Sequence, residues 1–320
     1  MAAFFAQKLD ENNGHRLAQV QAKPKTNDAS YELKPHHWSF LKFVETQLNP
    51  YGKTVLEIGG SNFPSDILFD RLGVKKWICV DYLDFWEKAG TATAVSVDTL
   101  TQKAGENGTF SVFALEDASG HFNDRRYLKF HGNAGQIPAI FFEQFDIVVS
   151  LCAFEHINNL QTIVEKIWRC LKPGGVFYTN FAPIWSSPIG HHYSFIPNEV
   201  NFNTTVRDGI PPFIHLLWTE PETREYFAHH PLPYGVEQLE ALCHWCYHSA
   251  HINRLFYEDY AEIMQQFPWK KLELTPYHWS ALIDEKTLQV LQQKYPRNKV
   301  FSDGIKIYAV KTGSLVSTGG

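Results

Sequence analysis

The segment TVLEIGGSNFPSD, Thr54 to Asp66, constrains this chain more than any other stretch of it. Thr54 to Ile58 is an apolar run broken only by Glu57, with the length and composition of a buried strand. Gly59 and Gly60 follow at once and force a tight turn that a bulkier residue resists. Pro64 and Asp66 then stand where a helix starts, over about Ser65 to Leu72. Proline is tolerated in a first helical turn, and a negative charge suits that end of the helix dipole. Strand, glycine turn and helix together form the cradle with which an open α/β sheet receives a nucleotide-like ligand.

The rest of the chain repeats that rhythm. HHWSFLKFVETQL predicts a helix over His36 to Leu48, and KWICV a strand over Lys76 to Val80 that ends at Asp81. Further strands are predicted at Arg126 to Gly132, Gln144 to Leu151 and Val176 to Ala182. Between the last two, LQTIVEKIWRCL is amphipathic with a helical period, and KPGG stops it. KKLELTPY and GIKIYAVK read as a late hairpin-like pair that closes one edge. Strands alternating with helices imply an α/β fold of Rossmann-like type: a mostly parallel, seven-stranded sheet flanked by helices. The region 90–125 is polar and predicts no regular element.

The domain boundaries follow from composition. Residues 1–30 are a polar tail and 31–183 a ligand-binding core. Residues 184–267, aromatic and rich in histidine, form a helical cap inserted after the fifth strand. Residues 268–312 are expected to supply the strands that complete the core, and 313–320 to be a flexible tail.

A net charge of −5 argues against binding to a nucleic-acid backbone, which demands a basic excess. Five cysteines in 320 residues do not make a disulfide framework, so a reducing, cytoplasmic setting is expected. The apolar run in MAAFFAQKLDENN is too short for a signal peptide, and no stretch reaches the length of a membrane span.

A dinucleotide fingerprint requires G-x-G-x-x-G, but Ser61 and Pro64 occupy the second and third glycine positions. A different set of motifs does match in order. VLEIGG, ICVDY, FHGNAGQIP, FDIVVSLCAFEHI and IVEKIWRCLKPGGVFYTNFAP follow one another at compatible spacing. In these the sequence resembles the class I S-adenosylmethionine-dependent methyltransferases that act on small molecules, over about Val55 to Pro183 and the last two strands. Ser61 and Phe63 depart from the family, which usually has glycine at both positions; Phe63 is expected to narrow the methionine end of the pocket.

The resemblance implies S-adenosylmethionine as cofactor and assigns residues to it. Asp81, ending the second strand, takes the two ribose hydroxyls. Gly59, Gly60 and Ser61 let the backbone approach the amino-acid part, with Glu57 beneath them. Asn133 and Ala134 face the adenine edge and Tyr82 packs on its ring. Ser150, Leu151 and Cys152 line the floor near the methyl group.

The acceptor is expected to be small, organic, sizeable for its class and partly apolar, with an oxygen as the methylated atom. The Asn/Asp-Pro-Pro-aromatic motif of adenine-nitrogen methyltransferases is absent from SLCAFEH, Ser150 to His156, which argues against a nucleic-acid adenine. Histidine is the usual base at neutral pH. His156, His191 and His192 are the candidates, and if the acceptor is a carboxylate no base is needed. His37, Trp38, Trp185 and Tyr193 are candidate acceptor contacts. In CHWCYHSAH, Cys243, Cys246, His248 and His251 have metal-ligand chemistry, but a zinc site draws its pairs from separate segments. A thiol-lined helix face is expected there, and no metal. The alternative to an enzyme is a binding protein that kept the fold and lost the chemistry.

Overall fold

Hydrophobic runs bounded by turn residues become eight strands in the computed structural model, which describes residues 35–60, 63–82, 111–193, 209–278 and 283–313. They are β1 (Thr54–Ile58), β2 (Lys76–Asp81), β3 (Ser111–Ala114), β4 (Tyr127–His131), β5 (Phe145–Leu151), β6 (Leu171–Phe181), β7 (Trp269–Tyr277) and β8 (Gly304–Lys311). All join one sheet in the order β3-β4-β2-β1-β5-β6-β8-β7. The first six run parallel to one another, and β8 runs antiparallel to both β6 and β7.

The eighth strand is a departure from the seven read in the sequence. β3 lies inside the polar region 90–125, where its four residues are too few to show an alternating pattern. It becomes a strand because β4 offers it a parallel edge, with Phe113 opposite Phe130. KPGG also differs from expectation. Leu171 already pairs with Phe145, and the register then jumps to Ile147 opposite Val176, so the glycines bulge out of β6 rather than precede it. Gly174 takes φ +77° there, in the left-handed region glycine tolerates.

Both faces of the sheet are covered. On one side, α1 (Pro35–Gln47) lays Phe40, Leu41 and Val44 over Val55, Trp77, Val149 and Tyr178. On the other, α2 (Leu160–Cys170) buries Leu160, Ile163, Val164, Ile167 and Cys170 against the inner strands. That spacing keeps one face of the helix inward, and each buried aliphatic chain contributes about 1.5–3 kcal/mol. Between β6 and β7 come α3 (Glu220–His229), α4 (Gly235–Cys243) and α5 (Tyr257–Gln265); α6 (Glu285–Lys294) precedes β8. Phe227, Leu242 and Cys246 form a separate small core with Tyr193 and Ile214. In contrast, Tyr260 and Met264 of α5 pack into the main core beside α2. Among the described residues no helix is long and apolar enough to cross a membrane.

The strand order decides where a ligand binds. Chain progression reverses between β1 and β5, and open sheets bind ligands beyond the carboxyl ends of the strands at such a point. Gly59, Asp81 and Cys152 are the residues those ends deliver.

Candidate functional site

β1 and β2 set the first half of the site. Gly59 has φ +85°, and a Cβ placed on it would come within 2.6 Å of the Ala153 Cβ. Its N–H continues the ladder by bonding the Val80 carbonyl at 2.9 Å. Gly60 faces Asp81, and a Cβ there would overlap the carboxylate. The Asp81 carboxylate accepts the backbone N–H groups of Tyr82 and Gly60. Burial raises this carboxyl above the usual carboxylate range, while the charges of Lys129 and His131 and the two N–H groups favour the ionised form. The Tyr82 ring stacks on His131 at 5.7 Å and 12°. Four groups therefore gather at the end of β2, and two of them, Lys129 and His131, were not singled out from the sequence. A lysine inside the otherwise apolar strand YLKFH was the available signal; it is buried, and β4 aligns it with Cys79.

Glu57 is fully buried and turned into the layer beneath α1, where Trp77 Nε1–H donates to its Oε2 at 3.0 Å. Phe63 does not narrow a pocket. Its ring packs between Phe40 at 5.3 Å and Trp77 at 5.6 Å, because an apolar ring at that turn finds the α1 core next to it. Ser61 and the side chain of His37 lie outside the described residues.

β5 supplies the floor. Ser150 is fully buried and its Oγ donates to the Ile58 carbonyl at 2.8 Å, so it ties β5 to the end of β1 rather than facing a ligand. Leu151 packs in the α1 core. Cys152 is half-buried with φ +51°, a strained conformation for this residue type, and its N–H bonds the Asn180 carbonyl at 3.0 Å. Asn133 is exposed, with Oδ1 accepting the Gly135 N–H at 2.8 Å; the oxygen keeps a second lone pair, and Ala134 sits beside it half-buried.

The lip after β6 is buried along its whole length from Pro183 to His191. Successive turns close it: Ser187 N–H bonds Ile184, Gly190 bonds Ser187 and His192 bonds Ile189. Gly190 is required, since a Cβ would strike the Trp185 and Ile184 carbonyls. The two adjacent histidines separate accordingly. His191 is fully enclosed, its Nδ1 accepting the Tyr193 N–H at 3.0 Å, and its ring meets His215 edge-on at 5.1 Å. His192, at φ +53°, turns instead toward His156, with ring centroids 5.2 Å apart. Burial depresses both: His156 is pushed down to about 4 and His192 well below its ordinary value, so both are neutral at pH 7.

Trp185 lies beneath the Arg254 guanidinium at 5.1 Å, and Tyr193 packs with Phe227 and Leu242. Both are core residues of the inserted region. Trp38 is half-buried against the α1 core. The cysteine-histidine stretch does not converge. Cys243 and Cys246 are buried, whereas His248 is exposed and paired with Glu220 at 2.6 Å. His251 leaves that group altogether and stacks obliquely on His156, centroids 4.4 Å apart.

The methyltransferase-domain family matches residues 94–179, which include β3 through most of β6. No curated protein matches the sequence. Among solved structures, phosphoethanolamine N-methyltransferase 2 of Haemonchus contortus in complex with S-adenosyl-L-methionine superimposes with a TM-score of 0.43 at 13% identity, covering 86% of this chain and 52% of that one. The chain thus spans about half the length of that enzyme. YcgJ of Bacillus subtilis gives a TM-score of 0.41 at 14% identity, with 87% and 100% covered. The CurJ carbon methyltransferase gives 0.39 at 13% identity, with 86% and 52% covered.

Proposed function

We propose that this chain, which resembles the class I S-adenosylmethionine-dependent methyltransferases in sheet order and in its matched central segment, transfers a methyl group to an oxygen of a small organic acceptor. The observation that carries the reading is the juxtaposition of Asp81 and Gly60 at the carboxyl ends of β2 and β1, the latter flanking the switch point of the sheet. An acidic side chain held against a glycine that has no room for a Cβ suits a ligand with vicinal hydroxyls beside the backbone.

The residues present fit the cofactor. Two carboxylate oxygens of Asp81 have acceptor capacity beyond the Tyr82 and Gly60 N–H bonds, which suits a pair of ribose hydroxyls. Gly59 and Gly60 leave the backbone open to a close approach, and Tyr82 and Asn133 flank the place for the base. S-adenosylmethionine supplies an activated methyl group on a cationic sulfur. The chain then has to hold an acceptor against that position, and orientation of this kind can account for much of a rate enhancement. His156 and His192, which follow β5 and β6 and lie side by side, are the groups assigned in this reading to the acceptor. Neutral imidazoles can accept a hydroxyl proton or donate to a carboxylate. The buried aromatic surroundings favour an acceptor that is partly apolar.

Calorimetry with S-adenosylmethionine and S-adenosylhomocysteine tests the cofactor, and binding of both is expected. Incubation of methyl-labelled S-adenosylmethionine with a small-molecule extract then separates an enzyme from a binding protein. Label moving into the organic fraction supports transfer; tight binding without transfer to any fraction points to a protein that kept the fold alone. Failure to bind either form overturns the reading.

A further inference from the structure

His156, His192 and His251 come from three separate segments: the turn after β5, the buried lip after β6, and the loop after the helical stretch that ends at His248. One ring nitrogen from each lies within 4.8 Å of the other two. We propose that these three histidines form a binding site for a divalent transition-metal ion of the zinc class, with at least one coordination position left open.

The first support is the way the rings are held. His156 Nδ1 lies 2.9 Å from the His251 carbonyl, and His192 Nε2 lies 2.7 Å from the Pro183 carbonyl. A carbonyl can only accept, so each of those nitrogens carries the proton. The tautomers are thereby set, with the lone pair on Nε2 of His156 and on Nδ1 of His192. Imidazoles that donate one N–H to a backbone carbonyl and offer the other nitrogen as a lone pair are the usual form of a metal-bound histidine.

The second support is preorganisation. The His156 and His251 segments are stitched together at several points besides that bond. Asn253 Nδ2 donates to the Phe154 carbonyl at 2.7 Å and to the Ile157 carbonyl at 3.1 Å, and the Asn253 N–H bonds Glu155 at 2.9 Å. Tyr260 Oη–H in turn bonds Asn253 Oδ1 at 3.0 Å. His192 is held at φ +53° by a turn that has no space for a side chain at Gly190. Left-handed backbone at a non-glycine residue persists where the surroundings impose it, and it is found disproportionately at functional sites.

The third support is the donor set. Three imidazoles suit zinc, nickel, iron or copper, and oxygen-seeking magnesium and calcium poorly. Three nitrogens bound at about 2.0–2.1 Å in tetrahedral geometry stand about 3.3 Å apart, so rings whose nitrogens lie within 4.8 Å of one another draw in to close on an ion. Glu155, buried beside this cluster, has Oε1 3.9 Å from His156 Nε2. The sequence suggests no metal, because its eye-catching cysteine-histidine cluster lies along one helical stretch. The three histidines lie far apart along the chain, and the fold alone brings them together. A metal here takes the His156 and His192 lone pairs that the methyl-transfer reading offers to the acceptor, so its open coordination position would meet the acceptor in their place; the zinc titration reads the metal site apart from that reaction.

The test is titration of the chelator-treated full chain with zinc chloride by calorimetry, and with cobalt(II) by visible absorption. One zinc per chain is expected, weakened at least tenfold in His156→Gln, His192→Gln and His251→Gln and unchanged in His248→Ala. Cobalt should give a visible spectrum without thiolate charge-transfer bands. No zinc binding, full binding in the three glutamine variants, or a thiolate signature in the cobalt complex each overturns the site. The cobalt spectrum is read on the unaltered chain and so decides the matter even if the variants do not fold. S-adenosylhomocysteine binding, measured in parallel, distinguishes failure of the metal site from failure of the cofactor site.

Discussion

The carboxylate of Asp81 fills the space that a side chain at residue 60 would need, and it accepts the Gly60 N–H in doing so. Neither residue can change without the other responding. Gly60→Ala pushes a methyl group into the carboxylate and displaces it from the crevice. Cofactor affinity should fall at least tenfold in this variant, as read by calorimetry with S-adenosylhomocysteine. Normal affinity would mean that the glycine turn is not the cradle.

Asp81 itself holds a charge that the fold disfavours. Its carboxyl is raised by burial, so the folded state takes up a proton more readily than the unfolded chain. For a raised acid, stability is greatest below the unfolded value near 4 and declines as pH rises from there through the folded value. Asp81→Asn should therefore melt no lower than wild type at pH 7, and higher if the charge is the dominant cost. Its cofactor affinity should nevertheless drop tenfold or more, because a charge-assisted hydrogen bond to each ribose hydroxyl contributes about 1.5–3 kcal/mol. Thermal melting and calorimetry on one preparation check both halves.

Trp77 and Glu57 form a buried donor-acceptor pair under α1. Trp77→Phe keeps most of the apolar packing with Phe40 and Phe63 but removes the donor from a buried acidic group. A loss of about 1.5–3 kcal/mol is expected from urea unfolding. Little change in the midpoint would show that another partner of Glu57 carries the load.

Asp146 anchors the entry to the sheet. Its Oδ2 accepts the Thr54 N–H at 2.9 Å and meets Lys172 Nζ at 3.0 Å, so one carboxylate joins the starts of β1, β5 and β6. Burial opposes its ionisation, but the Thr54 and Lys172 hydrogen bonds and the charges of Lys172 and Lys53 outweigh that and hold the carboxyl below its ordinary value. A depressed acid contributes stability that is present above the unfolded value near 4 and is lost as pH falls through the folded value. Asp146→Asn should flatten the melting profile below about pH 4 relative to wild type. Identical acid profiles for the two proteins would remove Asp146 from this role.

Local patterns carried the reading wherever a feature depends on neighbours in sequence. The apolar run ending in Gly59 and Gly60, the strand ending in Asp81 and the 3.6-residue stripe of α2 are all properties of a few adjacent residues, and the structure has each of them in its expected element. β3 was illegible for the same reason, since a four-residue strand in a polar stretch is specified by the open edge of β4 and not by its own composition.

Side-chain direction divided along the same line. Phe63 follows a turn whose exit angle places its ring in the α1 core, and Ser150 bonds a carbonyl of a strand 92 residues away. His191 and His192 are chemically identical neighbours in the sequence. The buried turn around Gly190 encloses one and presents the other to His156 and His251. Sequence alone determined which elements form and which residues end the central strands, because hydrogen-bonded strands, helical stripes and glycine turns are short-range effects. Tertiary packing decided which histidines meet, because burial and contact between segments 36 to 95 residues apart depend on the sheet order and on the helices laid over it.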